Sequence, residues 1–490
     1  MGARTGEEFL KGLQATSREL WIDGERVDDV TAHPATRAAA RTLAGVFDRQ
    51  HEYADDCLVP DSETGEPINI SNLLSRSVDD LRARARGLSR ISEYTCGLMG
   101  RTPDYMNVKF ASFAARHVDW AGGDGQNQEG EANLLAFQKR LARDDVALTH
   151  TIIQPNNDKR TDGKIIGNKV TIHKVGETAD SVVVRGARIL ATLAPFADEI
   201  AVYPALPLPE GAEDYALAFA VPLDIPGLKF LCRDSASSTA NVFDKPLSSR
   251  FDEQDAFVIF DDVEIPRSRL FLDGRAGSVD IYNGVGRTGL RDNMTTQTTI
   301  RALNKLEFAY GLGCRMSELI GDHSPATYEM LGEILSYVEV TRSAVYASTE
   351  QGYDIGTGVF FPYGKPLDPM RSLLATWFPR VNEILVLIGS HNLLAAPSRS
   401  QLDDADLRPL IDEFMYGADG AGAEERAALF RLVWDFVGST LGGRNALYER
   451  FYLTSAQRNR FMAHVNNTDR TRAYELVAGI LADGRTATGG

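Results

Sequence analysis

The chain has 490 residues, 43% of them hydrophobic and 24% charged, with a formal net charge of -16. This is the composition of an ordinary globular protein of roughly two to four domains. Its acidity argues against a nucleic-acid or anionic-membrane surface, and no apolar run reaches the ~18 residues of a membrane span.

The start, MGARTGEEFLKGLQ, lacks the apolar stretch of a secretory signal, and Gly6 breaks the myristoylation pattern. Cys57, Cys96, Cys232 and Cys314 lie far apart with no CxxC spacing, which fits a reducing cytoplasm and gives no metal-ligand pattern. Residues 1–148 read as mainly helical. Thr5 with Glu8 is a capping box ahead of Phe9, Leu10 and Leu13. ELWIDGERVDD puts an Asp-Gly turn between two short strands. HPATRAAARTLAGVFDRQHEYAD and NLLSRSVDDLRARARGLSRISEYTCGLMG then repeat small and apolar residues every three to four positions. In GRTPDYMN, Thr102 reads as an N-cap and Pro103 as the first helical residue. Arg101 is left just outside that helix and Tyr105 in its first turn, both able to face one pocket.

Between 149 and 275 the period switches to two, in KVTIHKV, DSVVVRGARILATLAP, DEIAVYPAL, DYALAFAVPL, LKFLC and DAFVIFDDVEI. These runs predict an antiparallel barrel or sandwich, and the lack of alternating helices disfavours a parallel sheet. The segment opens on THTIIQPNNDKRT, where Thr151, Gln154, Asn156, Asn157, Asp158 and Lys159 cluster donors and acceptors around Pro155, behind His150. Arg250 and Asp252 are placed to pair at a corner of this region. From 276 to 490 the helical period returns. Ile300, Leu303, Leu306 and Tyr310 form one stripe, and Leu331, Ile334, Leu335, Val338 and Val345 form another. WFPRVNEILVLIGSHNLL and LFRLVWDFVGSTL are apolar most of the way round, as in a buried bundle or a subunit interface. DGRTATGG reads as a disordered tail. The expected fold class is α+β: a helical N-terminal domain, a central β domain and a C-terminal helical bundle.

An Arg offers a fixed cation, a Tyr a phenolic donor and a His a proton acceptor near neutral pH. Arg101, Tyr105 and His150 could hold one oxyanion together. On residue chemistry alone, a solvated Arg, a half-buried Tyr and a structural His is the stronger reading.

The order of domains resembles the acyl-CoA dehydrogenase-like architecture. Five strings, GRTPDY, HTIIQPNNDK, VVVRGARILATLAPFADEI, PLSSRFDEQDAFVIFDDVEIPRSRLF and GGRNALYERFY, resemble the 4-hydroxyphenylacetate 3-monooxygenase family in matching order and spacing. The likeness runs from about Thr5 to His464. It implies the oxygenase component of a two-component system that ortho-hydroxylates a phenol to a catechol through a flavin C4a-hydroperoxide. FAD would arrive as FADH2 from a separate reductase, with FMN a possible substitute, and the assembly would be a homotetramer. The resemblance reverses the reading of the trio, giving Arg101, Tyr105 and His150 to the phenol oxygen. It gives His150, Thr151, Ile152, Gln154, Asn156, Asn157, Asp158 and Lys159 to the flavin, with Thr192 bonding the isoalloxazine. Gly442 and Gly443 would admit the ligand, Arg444 would meet a phosphate and Asn445 would stand beside it. Pro204 and Ala205 would line the substrate.

Three departures qualify this. Lys159 stands where the family usually has Arg, so a bidentate fork is lost. After DEIAVYP the chain continues ALPLPEG, without the adjacent hydroxyl residues that hold a phenylacetate carboxylate, so a substrate other than 4-hydroxyphenylacetate is expected. No His lies between His173 and His323, which disfavours the chlorophenol and nitrophenol branch. The same gap, with Gly100 four residues after Cys96, disfavours the cluster-bearing 4-hydroxybutyryl-CoA dehydratase. A catalytically inert flavin-binding homologue is the other alternative.

Overall fold

The computed structural model describes residues 2–155, 157–158, 164–237, 241–285 and 290–486. The helices of eight residues or more are α1 Gly6–Ala15, α2 Arg37–Glu52, α3 Val78–Tyr94, α4 Pro103–Ala115, α5 Gln128–Arg143, α6 Ser278–Val285 and α7 Leu290–Leu319. They continue with α8 Pro325–Glu350, α9 Met370–Gly389, α10 Ala423–Val437, α11 Thr440–Phe451, α12 Ala456–Asn466 and α13 Thr471–Thr486. The capping box at Thr5 and Glu8 forms, and it starts α1 with Phe9 and Leu13 buried beneath it. Thr102 and Pro103 do open α4, although the Thr102 hydroxyl caps no backbone N–H.

Two sheets are built mostly from strands between α5 and α6. The strands are β1 Glu19–Ile22, β2 Glu25–Arg26, β3 Leu148–His150, β4 His173–Glu177 and β5 Ser181–Thr192, then β6 Glu199–Val202, β7 Leu217–Pro222, β8 Leu228–Cys232, β9 Asp255–Pro266 and β10 Leu270–Asp273. One sheet has the order β2-β1-β8-β9-β5-β4 and the other β10-β7-β6-β3. The sheets face each other through core residues such as Phe219 and Phe260, whose rings lie 5.8 Å apart. The arrangement is therefore not a closed barrel, and it is not purely antiparallel. β1 joins β8 in parallel, and β3 joins β6 in parallel. Strands from residues 19–26 thus complete a sheet otherwise built from residues 173–266, which period-two reading of one segment could not show. Asp23 and Gly24 both take positive φ, the backbone that a two-residue hairpin turn requires, and they join β1 to β2.

In the bundle Ile300, Leu306, Ile334 and Val338 are buried as their spacing predicts, but Leu335 is exposed. Arg250 and Asp252 do not pair. Asp252 takes Arg233 at 2.6 Å, and the Arg250 Nε donates to the Pro246 carbonyl. The end of the chain is helical through Thr486, so the first half of DGRTATGG is α13; residues 487–490 lie outside the described residues.

Candidate active site

The turn before α4 and the end of β3 meet at one point. The Arg101 guanidinium carbon lies 3.9 Å from the Tyr105 ring centroid and 4.1 Å from that of Tyr452. The Tyr105 and His150 rings stack at 5.4 Å, and His150 lies 5.6 Å from Tyr203. The Tyr105 hydroxyl is 2.9 Å from the Met294 Sδ of α7. All three predicted residues therefore converge, and Tyr105 and His150 are buried.

The electrostatics are lopsided. Among the described residues no carboxylate pairs with the Arg101 guanidinium, and its Nη1 is buried without a partner. Burial pushes the Tyr203, Tyr448 and Tyr452 phenols up, so these rings stay neutral. Burial, then the charges of Arg101 and Lys109, hold His150 well below its ordinary value, so it is a neutral imidazole at pH 7. A fixed cation among neutral rings favours one guest, an anionic oxygen. A second charge cluster backs this wall: Glu449 accepts from Arg301 at 2.9 Å and from Lys305 at 2.8 Å, two cations on one carboxylate. The Arg301 guanidinium also packs 5.0 Å from the Tyr452 ring.

The predicted flavin residues divide. The Thr151 hydroxyl donates to the Leu190 carbonyl, and Ile152, Gln154, Asn157 and Asp158 follow it away from β3. Asn156 and Lys159 lie outside the described residues. The Thr192 hydroxyl donates to Asp255 at 2.7 Å, leaving its lone pairs for a ligand. Arg444 is a correction. Its Nε and Nη2 clamp Asp255 at 2.8 Å each and its Nη1 holds Glu253 at 2.7 Å, so the fork expected at a phosphate is filled by carboxylates. A Cβ at Gly442 would lie 2.8 Å from the Val437 backbone, so packing within the bundle also requires a glycine there. Gly443 has open space beside it.

A flavin fits what remains. Arg101 Nη1, Asn445 Nδ2 and Tyr448 Oη are buried without partners, grouped about Arg101 and Arg444. Such orphan groups are costly unless a ligand meets them, and an isoalloxazine carries carbonyl and ring-nitrogen acceptors. Of the two residues expected to line the substrate, Pro204 is buried and Ala205 exposed. The Ala205 N–H donates to the Tyr282 hydroxyl, and Asn283 both accepts from and donates to the Leu208 backbone, tying this loop to α6.

Sequence reasoning missed Lys109, Tyr203, Glu253, Met294, Tyr448 and Tyr452. Three had a usable signal. Lys109 follows Tyr105 by four residues on the same helix face, and its Nζ lies 5.2 Å from the Tyr203 ring. Tyr448 and Tyr452 share a face of the string GGRNALYERFY.

Comparison with known proteins gives this geometry its class. Residues 5–272 match the model for the 4-hydroxyphenylacetate 3-hydroxylase N terminal region, and residues 283–482 match its C terminal counterpart. The chain is 36% identical to the 4-hydroxyphenylacetate 3-monooxygenase oxygenase component of Thermus thermophilus, over 92% of each protein. It is 32% identical to a (3S)-3-amino-3-(3-chloro-4-hydroxyphenyl)propanoyl-[peptidyl-carrier protein SgcC2] monooxygenase of Streptomyces globisporus, over 95% of this chain and 87% of that protein. The crystal structure of a 4-hydroxyphenylacetate 3-monooxygenase oxygenase component complexed with FAD and 4-hydroxyphenylacetate superposes with a TM-score of 0.92 at 32% identity, covering 99% of this chain and 100% of that one. The protein is a flavin-dependent aromatic monooxygenase. It belongs to the 4-hydroxyphenylacetate 3-hydroxylase family, as its motifs led one to expect.

Proposed function

We propose that the protein hydroxylates a para-substituted phenol ortho to its hydroxyl group, using FAD reduced by a separate reductase. One observation carries the reading: Arg101 is a half-buried cation whose Nη1 is buried without a partner, it pairs with no carboxylate among the described residues, and it packs on Tyr105 close to a neutral His150. A phenol oxygen placed there ionises more readily, because a cation and hydrogen bonds favour the anion. Phenolate is the form whose ortho carbon attacks an electrophile. Tyr105 donates to the oxygen. His150 receives its proton, since the new phenolate charge offsets the cations that depress the imidazole. Bound reduced FAD supplies an electrophilic oxygen atom from O2. Its ring would rest against Thr192, Asn445 and Tyr448, and the surrounding aromatic rings exclude water.

The loop that carries Ala205 and Leu208 presents no hydroxyl side chain. The substrate is therefore a phenol whose para substituent is held by backbone and apolar groups, and relatives differ in that substituent. The working assembly is a homotetramer. In its support, α13 exposes Tyr474, Val477, Ile480 and Leu481 along one stripe that its own chain leaves uncovered. The four cysteines are free thiols, which suits work in the cytoplasm. Among the described residues no helix is long and apolar enough to cross a membrane. The test is a product screen of para-substituted phenols with chemically reduced FAD and O2. Catechol is expected; oxygen uptake without any catechol across the panel would overturn the reading.

A further inference from the structure

The Arg101 backbone is held by a carboxylate that its side chain never touches. The N–H groups of Gly100 and Arg101 donate to one oxygen of Glu253, at 2.7 and 2.6 Å. The other oxygen accepts from Arg444 Nη1 at 2.7 Å. Glu253 is fully buried, so these bonds are not shared with solvent. The same guanidinium clamps Asp255 at 2.8 Å, and Asp255 accepts from the Thr192 hydroxyl at 2.7 Å. The Tyr452 hydroxyl closes the turn by donating to the Gly100 carbonyl at 3.2 Å.

We infer that Glu253 is a positioning residue for the phenol pocket, and that Arg444 links this pocket to the flavin wall. The inference rests on reading the Arg101 pocket as the phenol site. Arg444 holds a carboxylate on each side: Glu253 fixes the turn that aims Arg101, and Asp255 fixes the Thr192 hydroxyl. A side chain that orients a cation must be locked by its own supporting bonds, or the cation drifts from the developing charge. Glu253 supplies that lock through two backbone donors, and charge-assisted bonds of this kind are the strong ones. Gln at 253 would keep one carbonyl acceptor. Its amide would face Arg444 Nη1 donor to donor.

The experiment titrates 4-nitrophenol, whose phenolate absorbs visibly, into the full-length protein with FAD bound. It reads both affinity and the pH at which the bound phenol ionises. Glu253→Gln and Arg444→Met should each weaken binding about 10-fold and raise the ionisation midpoint by about one pH unit, the scale of one charge-assisted bond. Asp255→Asn should instead weaken FAD about 10-fold and move the phenol midpoint by less than about 0.3. A scaffold role predicts lower thermal midpoints with unchanged probe ionisation in the folded protein, and that result overturns the inference. Should Glu253→Gln not fold, Glu253→Asp keeps the charge and withdraws it by one methylene, and it reads the same quantities. A parent protein that binds no phenol would refute the phenol site itself, a result distinct from variants that match a binding parent.

Discussion

The Tyr105 ring lies 5.4 Å from the His150 ring, at an interplanar angle of 26°, and the Arg101 guanidinium covers the Tyr105 ring at 3.9 Å. If these three act on the phenol oxygen, their loss strikes the transfer of oxygen and spares its activation. His150→Ala and Tyr105→Phe should still consume reduced flavin and O2 but release hydrogen peroxide in place of catechol. The His change should lower coupling about 10²-fold, the scale of a positioned acid–base group. Arg101→Lys should also be damaging, because a point charge does not replace a planar fork. A single-turnover assay of both products decides, and full coupling in all three variants would remove the trio from the mechanism.

The clamp on Arg444 leads to a prediction about flavins. Its nitrogens are committed to Asp255 and Glu253, so Arg444→Met should weaken FAD, FMN and riboflavin by similar factors, about 10-fold. Flavin fluorescence titrations check this. A loss confined to the phosphate-bearing flavins would return Arg444 to a phosphate.

Asp104 is a buried carboxyl, raised from 3.8 to about 6 by burial, and it accepts from Gln297 at 2.9 Å. The folded state holds its proton more tightly than the unfolded chain does. This contribution to stability is therefore present below pH 3.8 and is lost as pH rises through about 6. Asp104→Asn removes the buried charge and keeps the acceptor. It should stabilise by about 1–3 kcal/mol at pH 8 and by little at pH 4. Urea unfolding at the two pH values tests this, and an equal effect at both would mean that the carboxylate is not the source.

The uncovered stripe of α13 gives a prediction about assembly. If α13 helps to hold the proposed tetramer, a chain ending at Thr454, which loses α12 and α13, should form smaller species than the full chain, with the bundle core intact because that core lies in α7 to α11. Light scattering reads the mass. An unchanged mass per assembly would show that this stripe does not hold the copies together.

Much of this was legible in the sequence. Capping at Thr5, the Asp-Gly hairpin and the helix start at Pro103 are local, and local chemistry decided them. The trio was legible because Arg101 and Tyr105 share one turn, and a family likeness tied them to His150. What failed was non-local. Arg444 looked like a free cation, since nothing near it in sequence reveals Glu253 and Asp255 about 190 residues earlier. Glu253 is one of several acids in the string FDEQDAFVIFDD, and only the fold shows that it is fully buried. The parallel pairings were invisible for the same reason: a strand's period marks it as a strand but does not name its neighbour.

The parallel pairing of β1 with β8 also sets an order of events during synthesis. Leu20 is registered against Phe230, so the N-terminal hairpin emerges 210 residues before its partner does. At about 5–20 residues per second, the ribosome needs roughly 10–40 s to deliver the other side. Through that interval Leu20 and Ile22, destined for the core, have no sheet to join. The nascent chain must therefore carry an unfinished edge for a long time by folding standards. The first 30 residues are the place where slow maturation or dependence on a chaperone should show itself.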